Sequence, residues 1–329
     1  MEKKQDNLME ISNLTVRYNT DDAVVHAVNN FNLKLVRGEA RGLVGETGAG
    51  KTTLALSILR LLPERVGEVT GGSIVYDGQE LLNLPEAEML PLRGKRISMI
   101  FQDPMTSLNP TQTVGDQILE VLNLHFPEMT REEKNKRVDE MMTLVGIPPQ
   151  RKKSFPHEFS GGMKQRVVIA MALVAEPELL LADEPTTALD VTIQAQILEL
   201  MKQLREKFNT SVMLITHDLG VVAQFCDSVS VVYAGRVVEY GPVEIVFQRK
   251  ENHPYTAGLF NCIPNLHDDQ PRLHPIAGHM ADPRVEYKDC CFADRCEYAT
   301  ERCRTEAPSM HVCGEHGILC HRYAEKEEF

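Results

Sequence analysis

Apolar and polar residues alternate along the start of the chain, and this alternation predicts β-strands. LMEISNLTVRY (8–18) shows the pattern clearly, and AVNNFNLKLVRGE (27–39) predicts a second strand that ends in a turn. ARGLVG (40–45) predicts a short buried strand. A helical spacing of apolar residues follows at once in ETGAGKTTLALSILRLL (46–62), so we expect an α/β protein.

The middle of the chain predicts helices first and then buried strands. Residues 112–150 are mostly of helical period, with apolar residues at i, i+3 and i+4 in REEKNKRVDEMMTLVGI (131–147). The continuous apolar runs ELLLAD (178–183) and SVMLIT (211–216) are typical of central strands in a parallel sheet covered on both faces.

A change of composition marks the start of a second domain. DSVSVVYAGRVVEYG (227–241) predicts a hairpin that turns at Ala234-Gly235, and Pro, His and Cys become frequent after about Phe260. We therefore predict a first domain over 1–245 and an extension over 246–329.

Composition and charge disfavour some classes of function. The chain has 329 residues, 43% of them hydrophobic, and a net charge of −12, which disfavours broad contact with nucleic acid. MEKKQDNLMEISNL (1–14) has no apolar run, so we expect no secretory signal. The longest apolar run, VVIAMALVA (167–175), is far shorter than the roughly 20 residues of a membrane span, so we expect a cytoplasmic protein that reaches a membrane only through a partner.

GETGAGKT (45–52) matches the phosphate-loop pattern G-x-x-x-x-G-K-[ST] between a predicted strand and a predicted helix. A glycine-rich turn with a chance lysine is the alternative, and the flanking elements disfavour it. Backbone N–H groups would wrap the phosphates, Lys51 would reach the β- and γ-phosphates, and Thr52 would ligate Mg²⁺. The residues expected to bind nucleotide here are Gly45, Glu46, Thr47, Gly48, Ala49, Gly50, Lys51, Thr52 and Thr53.

Asp183 and Glu184 supply the acidic partners that a phosphate loop needs at the end of another strand. The apolar run LLLA leads directly into Asp183, which would hold Mg²⁺ through water. Glu184 would polarise the attacking water as general base. An acidic strand end without function is common, and the pairing with the phosphate loop favours the catalytic interpretation.

FSGGMKQR (159–166) resembles the signature of the ATP-binding cassette (ABC) ATPases, which reads close to L-S-G-G-Q. Phe159 and Met163 depart from that pattern. The resemblance implies that Ser160, Gly161 and Gly162 contact the γ-phosphate held by the other subunit of a head-to-tail dimer.

Four further residues follow the order of the ABC family. The resemblance implies that Gln102 links the γ-phosphate and Mg²⁺ to the helical subdomain and that His217 contacts the γ-phosphate. It places Asp190 in a loop facing the opposite subunit and Tyr18, 27 residues before Gly45, on the adenine ring. The implied catalytic residues are Glu184, His217, Gln102 and Lys51, and the implied Mg²⁺ residues are Thr52, Gln102 and Asp183.

The implied fold is a P-loop ABC nucleotide-binding domain with a mixed sheet core, an antiparallel β subdomain and a helical subdomain over about 103–165, followed by the small Cys-rich extension. MIFQDPMTSLNPTQTVGDQI (99–118) and GPVEIVFQRKENHPYTAGLF (241–260) are similar to the ATPases of dipeptide, oligopeptide and nickel importers. The resemblance implies that the chain works with two permeases, a second, paralogous ATPase in a heterodimer, and an extracytoplasmic solute-binding protein. It also implies a location at the cytoplasmic face of the plasma membrane.

Six of the eight cysteines fall between Cys290 and Cys320. Disulfides are unexpected in a cytoplasmic protein. The spacing of the cysteines is compatible with an iron–sulfur cluster, a zinc site or unligated thiols. The importer family's pattern C-x-F-x-x-R-C, followed by a third cysteine and a final C-H, implies a [4Fe–4S] cluster. Its implied ligands are Cys290, Cys296, Cys303 and Cys320, with zinc as second choice, while Cys291 and Cys313 fall outside the pattern.

We therefore expect an ATPase that drives uptake of dipeptides or oligopeptides. The same role for nickel or another peptide-like solute is the alternative within this class. From another class, a non-transport ABC ATPase acting on nucleic acid or ribosomes is opposed by the acidic charge and by the single cassette in the chain.

Overall fold

The structure is a computed structural model that describes residues 6–187, 189–248, 251–262 and 275–324, with only the backbone of Pro104 and Met105. Of the predicted extension, 249–250, 263–274 and 325–329 lie outside the described residues. The chain forms two compact units. Unit 1 comprises the described residues within Met1–Leu8, Leu35–Ala40 and Asn83–Ile215, and unit 2 those within Met9–Lys34, Arg41–Leu82 and Thr216–Phe329. The predicted boundary near residue 245 stays a prediction.

The described residues form both strands and helices. The strands are β1 Asn7–Asn19, β2 Val24–Val36, β3 Ala40–Val44, β4 Gly67–Tyr76, β5 Gln79–Glu80, β6 Ile97–Ile100, β7 Leu179–Asp183, β8 Ser211–Thr216, β9 Ser228–Tyr233, β10 Arg236–Pro242, β11 Met310–Cys313 and β12 His316–Leu319. The α-helices are α1 Lys51–Ile58, α2 Glu86–Met89, α3 Pro104–Ser107, α4 Val114–His125, α5 Arg131–Leu144, α6 Gly161–Leu173, α7 Val191–Phe208, α8 Leu219–Phe225, α9 Val243–Gln248, α10 Pro254–Asn261 and α11 Glu301–Thr305.

Unit 1 combines a parallel sheet with helices. Strands β6, β7 and β8 lie side by side in parallel, with Leu179 opposite Ile97 on one side and Ser211 on the other. Every residue of β7 and β8 is buried, which confirms the prediction made from their continuous apolar runs. Helices α4, α5 and α6 pack on one another, and α6 also packs on β6 and α7.

Unit 2 contains two sheets. Strands β2, β1, β4 and β5 form one, and β4 runs antiparallel to both β1 and β5. In the other, β11, β12, β10, β9 and β3 follow one another; β3 is parallel to β9, while β9, β10, β12 and β11 pair antiparallel. The predicted hairpin turns at Ala234-Gly235, and both residues have a positive φ, as a tight two-residue hairpin turn requires. Parallel and antiparallel pairs in one sheet make it mixed.

Candidate functional site

The phosphate-loop residues lie in unit 2, between the end of β3 and the start of α1. Gly50 immediately precedes α1 with φ 95°, and a Cβ built there would lie 2.1 Å from the carbonyl oxygen of Ala27. Only glycine therefore fits at this position. Lys51 is buried, and its Nζ donates to the carbonyl oxygens of Gly45 at 2.6 Å and Glu46 at 3.0 Å. The lysine is held against the loop that precedes it.

Glu46, the second residue of the loop, contacts two residues that lie far along the chain. Its backbone N–H donates to the hydroxyl of Tyr255 on α10 at 2.9 Å. Its carboxylate forms a two-pronged ion pair with Arg295, with Nη1–Oε2 at 2.7 Å and Nη2–Oε1 at 3.0 Å. Burial raises the pKa of Tyr255, so its hydroxyl stays protonated. The loop is thus held by residues far along the chain.

Tyr18 and His217 also lie in unit 2. Tyr18, on β1, is half-buried and donates from its hydroxyl to Thr53 Oγ1 at 3.1 Å, so the predicted adenine-binding ring contacts the helix that follows the loop. His217 is exposed directly after β8. The next residue, Asp218, caps α8 by accepting from Gly220 N–H at 2.8 Å, which fixes the turn that presents the histidine.

The acidic pair lies in unit 1 at the carboxyl end of β7. Asp183 is 2% exposed, and oxygen donors of this kind suit Mg²⁺. Glu184 has φ 47°, an uncommon conformation for a residue other than glycine. Its Oε2 accepts from Gln102 Nε2 at 3.1 Å and from Thr187 Oγ1 at 2.8 Å. The structure therefore places Gln102 and Thr187 in contact with Glu184.

The signature residues of unit 1 begin α6. Ser160 caps this helix, with its Oγ accepting from Met163 N–H at 3.4 Å. A Cβ built on Gly162 would lie 2.7 Å from Ile193 Cγ2, so glycine allows α6 and α7 to approach closely. Asp190 caps α7 through a 2.9 Å hydrogen bond from Ile193 N–H. Both Ser160 and Asp190 thus have a structural role beside the predicted functional one.

The eight cysteines all lie within the described ranges, and none of them forms a disulfide. Burial, together with the smaller effects of Cys291, Cys303 and Cys320, raises the pKa of Cys290 to about 12. Burial likewise raises the pKa of Cys296 and of Cys320, with Cys303 adding to both. The backbone N–H of Cys290 donates to the carbonyl oxygen of Cys303 at 3.1 Å. The four predicted ligands therefore influence one another electrostatically.

The arrangement of these thiols does not support the predicted cluster. Within the described residues, no group of three or more His, Cys, Asp or Glu side chains is placed so that it could hold a metal ion. The thiols supply the right donor chemistry for iron or zinc, but as placed they do not form a coordination shell.

Sequence reasoning missed three residues at these sites. Arg295 and Tyr255 contact Glu46 from 249 and 209 residues away, and Thr187 contacts Glu184. Arg295 is the arginine of the C-x-F-x-x-R-C pattern, so its place in the sequence was visible but its partner was not.

Known proteins are similar to this chain in sequence and in fold. Residues 28–187 match the family described as "ABC transporter", and 238–303 match "Oligopeptide/dipeptide transporter, C-terminal region". The chain is 47% identical to the oligopeptide transport ATP-binding protein OppD of Haemophilus influenzae over 98% of both chains. It is 48% identical to OppD of Escherichia coli, covering 93% of this chain and 90% of that protein.

Solved structures agree with these sequence matches. The dimeric, post-hydrolysis ATP-binding cassette MJ0796 bound to ADP and Pi gives a TM-score of 0.64 at 29% identity, covering 71% of this chain and 98% of that one. cbiO1 of Clostridium perfringens, part of the ABC transporter complex cbiONQ, gives 0.65 at 30% identity, covering 75% and 92%. The fold is an ABC ATPase nucleotide-binding domain with a mixed sheet and a helical subdomain. The chain belongs to the ABC transporter ATPases, in their oligopeptide/dipeptide transporter family.

Proposed function

We propose that this chain is the ATP-hydrolysing subunit that drives peptide uptake through partner permeases. The observation that carries this proposal is the 47% identity with an oligopeptide transport ATP-binding protein over 98% of both chains. No helix among the described residues is long and apolar enough to cross a membrane. Membership of the oligopeptide transporter family leads us to assign the translocation path to separate permease subunits and this chain to the cytoplasmic membrane surface beside them.

The phosphate loop binds the β- and γ-phosphates of ATP in this proposal. Lys51 exchanges its hydrogen bonds to Gly45 and Glu46 for bonds to phosphate oxygens, which frees the loop to wrap the phosphates. Tyr18 offers its ring to the adenine. Thr52, Gln102 and Asp183, the last through water, would hold Mg²⁺, and the ion would neutralise phosphate charge.

Glu184 is the proposed general base. A water molecule attacks the γ-phosphorus, the bond to the β–γ bridging oxygen breaks, and Glu184 accepts the proton that the water loses. Its hydrogen bonds from Gln102 and Thr187 hold the carboxylate in one orientation. Gln102 therefore acts on the base as well as on the nucleotide, and His217 contacts the γ-phosphate.

A second ATPase subunit completes each site in this proposal. The N-terminus of α6, with Ser160, Gly161 and Gly162, offers backbone N–H groups that suit an anion. In a head-to-tail pair these groups meet the γ-phosphate bound by the partner, and Asp190 faces the partner subunit. We propose a paralogous partner, two permeases and an extracytoplasmic solute-binding protein.

The test of the catalytic assignment is Glu184→Gln in the assembled importer. This variant should bind ATP with normal affinity while its hydrolysis rate falls at least a hundredfold, because a neutral amide does not accept the proton. Glu206→Gln makes the same chemical change at an exposed position of α7 and should hydrolyse ATP normally. A normal rate for the Glu184 variant would exclude it as the base.

We further propose that Cys290, Cys296, Cys303 and Cys320 hold a [4Fe–4S] cluster, with zinc as the second candidate. The match of these four cysteines to the importer family's pattern supports it, although their placement does not form a coordination shell. Anaerobic purification followed by iron, sulfide and zinc analysis tests the proposal. Four irons per chain, lost in Cys296→Ser and kept in Cys226→Ser, are expected; zinc without iron supports the second candidate, and neither metal refutes both.

A further inference from the structure

Two residues of the C-x-F-x-x-R-C stretch that are not cysteines contact the surroundings of the phosphate loop. Phe292 is 3% exposed, and its ring lies 5.1 Å from that of Tyr233 and 5.5 Å from that of Tyr255 between centroids. Tyr255 in turn accepts the backbone N–H of Glu46. Arg295, three residues after Phe292, binds the Glu46 carboxylate directly.

Arg295 is held in place by more than the ion pair. Its side chain is 5% exposed, and its Nε donates to the carbonyl oxygen of Ala277 at 3.1 Å. Its guanidinium lies 5.7 Å from the ring centre of Tyr233. A planar guanidinium fixed in this way presents two N–H groups to one carboxylate, which is the geometry for which arginine is preferred over lysine.

The segment that leads to Arg295 runs along the same loop. A Cβ built on Gly48 would lie 3.3 Å from Met280 Cε, and the N–H of Ala281 donates to the hydroxyl of Tyr233 at 3.1 Å. Glu46 is consequently held at three points. Tyr255 accepts its N–H, Lys51 donates to its carbonyl oxygen, and Arg295 pairs with its carboxylate.

A carboxylate in a phosphate-binding loop is electrostatically unfavourable. ATP brings several negative charges to the loop that contains Glu46, and like charges close together repel, most strongly where water is partly excluded. The carboxylate of Glu46 is about one-third exposed, whereas its partner is nearly buried. The fixed positive charge of Arg295, paired with the Glu46 carboxylate, offsets this repulsion while the loop keeps its shape.

We propose that Arg295 is a positioning residue for ATP binding, which neutralises Glu46 and fixes the phosphate loop from the Cys-rich extension. Arg295 acts through Glu46, so its loss should weaken ATP binding without slowing the chemical step at Glu184. Cys296 is the next residue, so Arg295 links the segment that carries the cysteines directly to the phosphate loop.

The experiment measures the Kd of the full-length chain for a fluorescent ATP analogue, and KM and kcat of the assembled importer. Arg295→Gln should raise Kd and KM about three- to tenfold and leave kcat within about twofold. Arg295→Lys keeps the charge but cannot offer two parallel N–H groups to the carboxylate, so its Kd and KM should lie between those of the wild type and those of Arg295→Gln. Arg304→Gln is the matched control, since Arg304 pairs with Asp294 in the same extension but is exposed.

The double variant Arg295→Gln/Glu46→Gln separates electrostatics from packing. It should bind ATP within about twofold of the wild type, because the uncompensated carboxylate is gone. If it binds as weakly as Arg295→Gln, the role is only structural and the proposal is overturned. Should Arg295→Gln fail to fold, the double variant decides alone, because a Kd raised about threefold or more above that of the wild type would overturn the proposal.

The inference rests on the proposed role of residues 45–52 in phosphate binding. Lys51→Ala distinguishes the two failures. If Lys51→Ala binds ATP normally, the proposed site itself is wrong. If Lys51→Ala loses ATP binding while Arg295→Gln keeps normal Kd and KM, only the role of Arg295 is refuted.

Discussion

Replacing Glu239 by alanine should destabilise the attachment of the C-terminal hairpin β11–β12. Glu239 lies on β10 and is fully buried. Its Oε1 accepts from Asn252 Nδ2 at 3.0 Å and lies 2.7 Å from His316 Nε2 on β12. Its Oε2 accepts from His253 N–H at 2.9 Å. One carboxylate thus joins β10, β12 and the start of α10.

The magnitude follows from the groups that lose a partner. In Glu239→Ala the N–H of His253 loses the hydrogen bond to the carboxylate, and such a buried, unsatisfied group costs roughly 1–3 kcal/mol. His316 and Asn252 each lose one bond as well. Breaking a buried pair of this kind typically costs about 3–5 kcal/mol, so we expect a loss of about 4 kcal/mol in the free energy of unfolding.

The assay combines urea unfolding with hydrogen exchange. The unfolding midpoint should fall, and the amides of β12 should lose more protection than those of β9, because β12 pairs with β10 beside Glu239. Glu244→Ala removes an exposed carboxylate from α9 nearby and should change stability by less than about 0.5 kcal/mol. A loss below about 1 kcal/mol in Glu239→Ala, or equal exchange in β9 and β12, would refute the reasoning.

Two further predictions concern His253 and Gly50. Burial lowers the pKa of His253 to about 4 even though the charge of Glu239 raises it, so the folded protein keeps this imidazole neutral where the unfolded chain binds a proton. The free energy of unfolding should therefore fall by on the order of 3 kcal/mol between about pH 6.5 and pH 4. In urea unfolding, His253→Asn should reduce this pH dependence. An unchanged pH profile in the variant would contradict the prediction. Gly50→Ala should cost more than about 2 kcal/mol in thermal unfolding, since it adds a 2.1 Å clash with Ala27 to the strain of a positive φ. Gly78→Ala has a positive φ but open space around the new Cβ, so it should lose only about 1 kcal/mol, and equal losses would show that the clash is relieved.

The fold was predictable where the pattern is local. The structure contains strands β7 and β8 where the continuous apolar runs predicted them. It also contains the hairpin turn at Ala234-Gly235. Each of these features depends only on neighbouring residues. Alternation and turn chemistry act over a few residues, so they are visible without tertiary structure.

Contacts between residues far apart in the sequence were not predictable in the same way. Arg295 and Glu46 are 249 residues apart, and Glu239 and His316 are 77 apart. No periodicity links such positions, and a charged residue in a sequence is most often exposed. The cysteines show the reverse problem, since the resemblance to the importer family implied a ligand set, but a sequence pattern does not place four sulfur atoms around one metal.

Peptide uptake tests the central claim most directly. Cells that lack this chain and express the wild type should import a labelled oligopeptide, whereas cells expressing Glu184→Gln should not, although the variant is present at the membrane and binds ATP. Glu206→Gln should import at the wild-type rate. Oligopeptide import that is equal with and without the wild-type chain would contradict its assignment as the ATPase of a peptide importer.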